Sequence, residues 1–227
     1  MIARIRLGRH PAGLLAYLSH SKAEPASLDV SRLTGVRPLG LGLEPLDDGW
    51  YETAKQQEEA FETASIAIRA LADCRSDLKH RVAHLVLSAD PAWAQRQSRS
   101  QVRRAYLRTL DQVAKKIGLD DRCGVVVLHR DGHGQARAAR FDTAIEHLHA
   151  VFALPHADTL RSIAAHQLPA RTATACRSAW LRLSLNPSGE KATSFTPTAG
   201  SSDLDAMLLS IARQERSRRQ RDRDVER

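Results

Sequence analysis

Two short apolar runs that carry histidines at strand spacing constrain this chain more than any other feature. Val125-Val126-Val127-Leu128 closes on His129, and residues 146–154 read Glu-His-Leu-His-Ala-Val-Phe-Ala-Leu. Side chains alternate between the two faces of a strand, so His147 and His149 point the same way. If the two runs lie side by side in a sheet, His129 leaves its strand end beside that pair. Three imidazoles can then share one metal ion with a coordination position left for substrate, an arrangement more typical of catalysis than of scaffolding.

The rest of the chain supplies the frame for such a sheet. Residues 2–7 alternate apolar positions with Arg4 and Arg6, a short strand with one wet, basic face. Pro11 opens a helix through Leu14, Leu15, Tyr17 and Leu18 toward Lys22. Residues 23–49, broken by Pro25, Pro38, Pro45 and several glycines, read as a long loop. A helix follows over residues 50–72, with Ala60, Ala64, Ile68 and Leu71 in one stripe, and residues 81–88 form a strand. Asp90-Pro91 starts a helix predicted to run to Ile117 and stop at Gly118. Beyond Pro155 the pattern predicts a helix over 158–167 and a strand over 179–185. A Pro/Gly/Ser/Thr-rich linker occupies 186–202, and a helix with an Arg-rich tail occupies 203–227. Strands interleaved with long helices predict an α/β fold, a mainly antiparallel central sheet covered by helices, with one domain over residues 1–185.

Composition narrows the partners. The chain has 227 residues, 42% of them hydrophobic and only 4% aromatic, so its core is built from Leu, Ala, Val and Ile, with few platforms for stacking bases. A formal charge of +8 points to a polyanionic partner, nucleic acid first and an acidic membrane surface second. No apolar stretch is long enough to span a membrane and the N-terminus carries no signal-peptide pattern, which predicts a cytoplasmic protein. Cys74, Cys123 and Cys176 are odd in number and widely spaced, which predicts buried free thiols.

The order of motifs adds to this reading. A tyrosine lies on an early helix (Ala-Gly-Leu-Leu-Ala-Tyr17-Leu-Ser-His). A strand then reads His84-Leu-Val-Leu-Ser88-Ala-Asp-Pro, and Val-Leu-His129-Arg-Asp131 is followed by His147-Leu-His149. Over residues 1–155 the chain resembles the plasmid mobilisation relaxases, HUH-type endonucleases that nick one DNA strand at a transfer origin during conjugation. The resemblance implies a metal-dependent, site-specific single-strand DNA endonuclease and strand transferase. It implies Tyr17 as nucleophile, and His129, His147 and His149 as ligands of a divalent ion, Mg2+ or Mn2+. The implied partners are single-stranded transfer-origin DNA, relaxosome accessory proteins and a conjugative coupling protein.

Several assignments stay open at this level. A tyrosine on a helix often does no more than pack; Tyr51 is a second candidate nucleophile, and Tyr106 suits packing. Asp131 either orients a histidine, helps deprotonate Tyr17, or caps a turn before Gly132. Ser88 either donates to a DNA phosphate or caps its strand. Relaxases bring the first histidine within several residues of the His-x-His pair, whereas a 17-residue spacer, 130–146, separates His129 from His147 here. A long hairpin loop preserves the pairing, or else brings His133 into the place of His129. Arg96, Arg99 and Arg103 on the helix after Pro91, with Arg130, Arg137 and Arg140 in the spacer, are the candidate DNA-binding cations. The stretched motif also fits an alternative, a relaxase-like accessory that binds DNA or protein without cutting. In replication initiators and transposases of the wider HUH group the catalytic tyrosine follows the histidines, whereas all three tyrosines here precede them.

Overall fold

The computed structural model describes residues 1–19, 33–41, 50–51, 53–130 and 146–185. Five strands form one sheet: β1 (Ile2–Gly8), β2 (Leu33–Leu39), β3 (Val82–Ser88), β4 (Gly124–Arg130) and β5 (Glu146–Ala153). Their order is β1-β3-β5-β4-β2, and every neighbouring pair is antiparallel. The helices are α1 (Pro11–Ser19), α2 (Ala54–Cys74), α3 (Pro91–Ala94), α4 (Arg99–Ile117) and α5 (Leu168–Leu185). The architecture is thus α/β, with an antiparallel sheet covered by helices.

Each face of the sheet has its own apolar core. On one face Leu85, Leu87, Leu148, Ala150 and Phe152 pack against Val102, Tyr106, Leu110 and Val113 of α4 and Cys176 of α5. On the other, Val125, Val127 and Val151 pack against Leu15 and Leu18 of α1 and the Ala60, Ala64, Ile68, Leu71 stripe of α2. Because alternate residues of a strand face opposite ways, His147, His149 and His129 belong to the α1/α2 face, whereas Glu146 and Leu148 belong to the α4/α5 face.

Local chemistry sets the element ends. Thr53 caps α2 by accepting from the Gln56 amide, and Ser98 and Gln101 form a reciprocal capping box at the start of α4. Gly118 ends α4 in the left-handed conformation, at φ 77°, where glycine carries no steric penalty.

Five expectations are corrected. The predicted loop over 23–49 contains β2. Pro38 is tolerated there because β2 is an edge strand, and Gly35 because an added Cβ would come within 3.0 Å of the Trp50 ring. The helix predicted from Pro91 to Ile117 is two helices: Asp90 caps α3, and the Ser98 capping box restarts the chain as α4. In place of a helix over 158–167 there is only a 3-10 turn at Ala165–Gln167, and the strand predicted over 179–185 is the end of α5. The alternation of Leu181, Arg182, Leu183, Ser184 and Leu185 in the sequence imitates a strand. Burial at Leu168, Thr172, Ala175, Cys176 and Ala179 instead follows the helical period. Finally, Cys123 and Cys176 are buried free thiols, but Cys74, at the end of α2, is exposed.

The linker and tail predicted over 186–202 and 203–227 lie outside the described residues. Among the described residues no helix is long and apolar enough to cross a membrane.

Candidate metal centre

The pairing of β4 with β5 puts His129 opposite His147, and Val127 opposite His149. The three imidazoles converge as the two runs predict: one nitrogen from each of His129, His147 and His149 lies within 4.8 Å of the other two. The 17-residue spacer is therefore compatible with an assembled trio, and His129 itself occupies the first position. His129 and His149 are 1% and 5% exposed, whereas His147 is half-buried and opens the site to solvent.

Two hydrogen bonds orient the buried pair. Leu18 lies in the last turn of α1, where helix carbonyls lose their intrahelical donors. His129 Nε2 supplies the missing donor to the Leu18 carbonyl at 2.9 Å. A carbonyl only accepts, so the proton of neutral His129 sits on Nε2 and its Nδ1 keeps a lone pair. At 2.7 Å, Nδ1 of His149 meets Nε2 of His84 on β3. For His149 Nε2 to ligate, its proton must sit on Nδ1, and that N–H then donates to His84. The nitrogens left over, Nδ1 of His129 and Nε2 of His149, are buried and make no hydrogen bond. Buried polar atoms almost always have partners, so this donor set fits a bound cation.

His84 is the residue that sequence reasoning missed. It appeared in the second motif but was assigned no role, because nothing local to residues 82–88 reveals that its neighbour across β5 leads to the histidine trio. Its ring stacks on that of His149, with centroids 5.0 Å apart and planes at 16°. Burial foremost, then the charge of Arg6 and the neighbouring His129 and His147, push the His84 imidazole down to about 4. At neutral pH it is uncharged, and its Nε2 can accept from His149.

Tyr17 stands beside this cluster. It is 45% exposed, and its ring centre lies 6.4 Å from that of His149 in an edge-to-face arrangement. The bond from His129 to the carbonyl of the next residue, Leu18, anchors the end of α1 that carries it. The other tyrosines are engaged elsewhere. Tyr51 forms an isolated bridge with Val36. Tyr106 is fully buried on the opposite face, donating to the Glu146 carbonyl at 2.7 Å and accepting from the Ala89 amide at 2.9 Å, and burial pushes its phenol up to about 12.

The α4 arginines do not adjoin the histidines. Arg103 is buried, its guanidinium bonded to the Glu146 carboxylate at 3.3 Å and to the Thr34 carbonyl, and set over the Trp50 ring. It is a core residue and not a phosphate contact, as the even helical spacing could not reveal. Arg99 is more exposed but pairs with the same carboxylate at 2.6 Å. Burial alone would raise the Glu146 carboxyl; Arg99 and Arg103 outweigh it and hold the group below the ordinary carboxylate range. Arg96 is exposed and donates to the Ala92 carbonyl in the turn after α3. Ser88 is half-buried at the end of β3, on the histidine face and opposite Ile2. Arg130 ends β4 opposite Glu146. Asp131, His133, Arg137 and Arg140 lie outside the described residues.

Comparison of the chain with protein-family profiles, with curated proteins and with solved structures finds no match. The site's chemistry must carry any functional reading.

Proposed function

We propose that the protein is a metal-dependent, site-specific single-strand DNA endonuclease and strand transferase, a relaxase acting at a transfer origin through Tyr17. The observation that carries the reading is the placement of a half-exposed tyrosine ring 6.4 Å from one member of a three-imidazole cluster. A half-exposed phenol beside a nitrogen donor set at one solvent-facing point suits phosphoryl transfer.

His129, His147 and His149 would hold the ion, and an all-nitrogen set favours a first-row transition ion such as Mn2+ over Mg2+. When bound, a divalent ion polarises the scissile phosphate and offsets the charge that develops on its oxygens. The chain's own residues do the rest. His84 and the Leu18 carbonyl hold two imidazoles in the tautomers that turn lone pairs inward. The Tyr17 oxygen attacks phosphorus as its proton leaves to solvent. The bond from phosphorus to the 3′ oxygen breaks, and that oxygen takes up a proton to become a free 3′ hydroxyl. The 5′ phosphate stays on Tyr17 as an ester, which conserves the bond energy for rejoining. Relaxosome accessory proteins and a coupling protein complete the proposed setting.

The test is adduct formation. Purified protein with Mn2+ and a single-stranded transfer-origin oligonucleotide should yield a covalent product that survives denaturing electrophoresis. Tyr17→Phe should bind metal and DNA but form no adduct; an adduct at wild-type yield would remove Tyr17 from the mechanism.

A further inference from the structure

The face that carries the histidines is closed on one side and open on the other. Toward β4 and β2 it is roofed: Val125, Val127, Val151 and Leu33 are buried beneath α1 and α2. Toward β1 burial falls away. Val86 and Ser88 on β3 are half-buried, and Ile2, Arg4 and Arg6 on the edge strand β1 are exposed, Ile2 at 64%.

Strand register fixes how these residues align. His149 faces Val86 across β5 and β3, and Val86 faces Arg4. One row along, Val151 faces His84, which faces Arg6. Arg4 therefore lies two strands from His149, about 10 Å away, and the Cα atoms of Arg4 and Arg6 are about 7 Å apart along β1. Both guanidinium groups rise from the face that bears the histidines. Neither makes an ion pair with a described residue, in contrast to Arg99 and Arg103, which are committed to Glu146 on the opposite face.

From this exposure gradient and charge placement we infer that the β1/β3 half of the histidine face is the track on which a single-stranded nucleic acid lies. Arg4 and Arg6 take its phosphates and lead the strand to the imidazole cluster from the β1 edge. The half-buried Ser88 and Val86 floor offers a shallow surface rather than a groove cut for a duplex. Two cations at strand spacing beside an exposed apolar residue suit a flexible polyanion whose bases can splay. The inference rests on the nuclease reading only in naming what the track delivers; binding to the track is a separate property.

The test measures binding without cutting. A fluorescein-labelled single-stranded oligonucleotide of mixed sequence is titrated with protein in EDTA across salt from about 50 to 200 mM. Each phosphate contact on a single strand contributes about 0.7 to the slope of log affinity against log salt, so the R4Q/R6Q double variant should lose about 1.4. Over that fourfold salt range its affinity should fall about sevenfold less than that of the wild type. R4K/R6K, which keeps the charges, should stay near the wild-type slope, as should R104Q, an exposed arginine of α4 on the other face. A wild-type slope in R4Q/R6Q, an equal loss in R104Q, or a wild-type protein that prefers duplex DNA or anionic vesicles to the single strand would overturn the inference. Unchanged thermal melting of the variants keeps the comparison valid at these exposed positions. Absence of a Tyr17 adduct would sink the nuclease reading and leave this result standing.

Discussion

Replacing His84 by phenylalanine isolates what the hydrogen bond to His149 contributes. Phenylalanine keeps a ring to stack on His149, now 5.0 Å away between centroids, but removes the Nε2 acceptor. The bond is 2.7 Å long and joins residues that are 8% and 5% exposed, so water cannot replace the lost partner. A buried N–H left unsatisfied costs about 1–3 kcal/mol. Without metal, His149 escapes that cost by rotating its ring toward another partner, and that change removes the ligating lone pair. The penalty therefore falls on the metal-bound state, as a loss of affinity of about 5- to 150-fold, in line with the ten- to hundredfold common for residues that orient a ligating histidine. His84→Gln, whose amide oxygen can reach the position of Nε2, should recover part of the loss. Calorimetric titration with Mn2+ at about pH 8, well above the His84 titration, measures the affinity directly. Wild-type affinity in His84→Phe, alongside lost binding in His149→Ala, would show that the bond does not orient the ligand and would refute the reasoning.

Two further outcomes follow from buried charge. Because burial foremost, then Arg6, His129 and His147, hold the folded-state pKa of His84 near 4, below its ordinary value of about 6.5, His84 favours folding when neutral. Its contribution is fully present above about pH 6.5 and is lost as pH falls toward 4, a decline of about 3 kcal/mol that urea unfolding of the metal-free protein should show and His84→Phe should flatten. Arg103→Met should destabilise by about 3–5 kcal/mol, because it leaves the Glu146 carboxylate, 9% exposed, short of one of its two cations; a change under about 1 kcal/mol in chemical denaturation would show that Arg99 alone suffices.

The chain carried its central elements on its surface pattern. Short apolar runs marked β4 and β5, and two-residue alternation marked β1, including the side that bears Arg4 and Arg6. The stripe from Ala60 to Leu71 marked the buried face of α2, and Gly118 marked the end of α4. These signals are legible because each arises within a few residues, where strand pleat, helix period and capping act. Edge position and helix commitment are not local. Gly35 and Pro38 look like loop residues until β2 is seen to be the last strand of its sheet, and the alternation at 181–185 looks like a strand until packing on β1 and α4 selects a helix.

The same division runs through the site. By itself the sequence determined that three histidines have the spacing to meet and that His147 and His149 share a face, since both facts follow from strand geometry. Only the tertiary structure decided that β4 and β5 are neighbours in the register that aligns His129 with His147, that α1 ends over His129 with Tyr17 beside His149, and that β3 supplies His84. It also decided which arginines face the histidines, placing Arg4 and Arg6 on their side of the sheet and Arg103 inside the opposite core. Those outcomes depend on contacts between residues tens of positions apart, and a long-range contact is selected by the packing of the whole sheet, not by the residues adjacent to it.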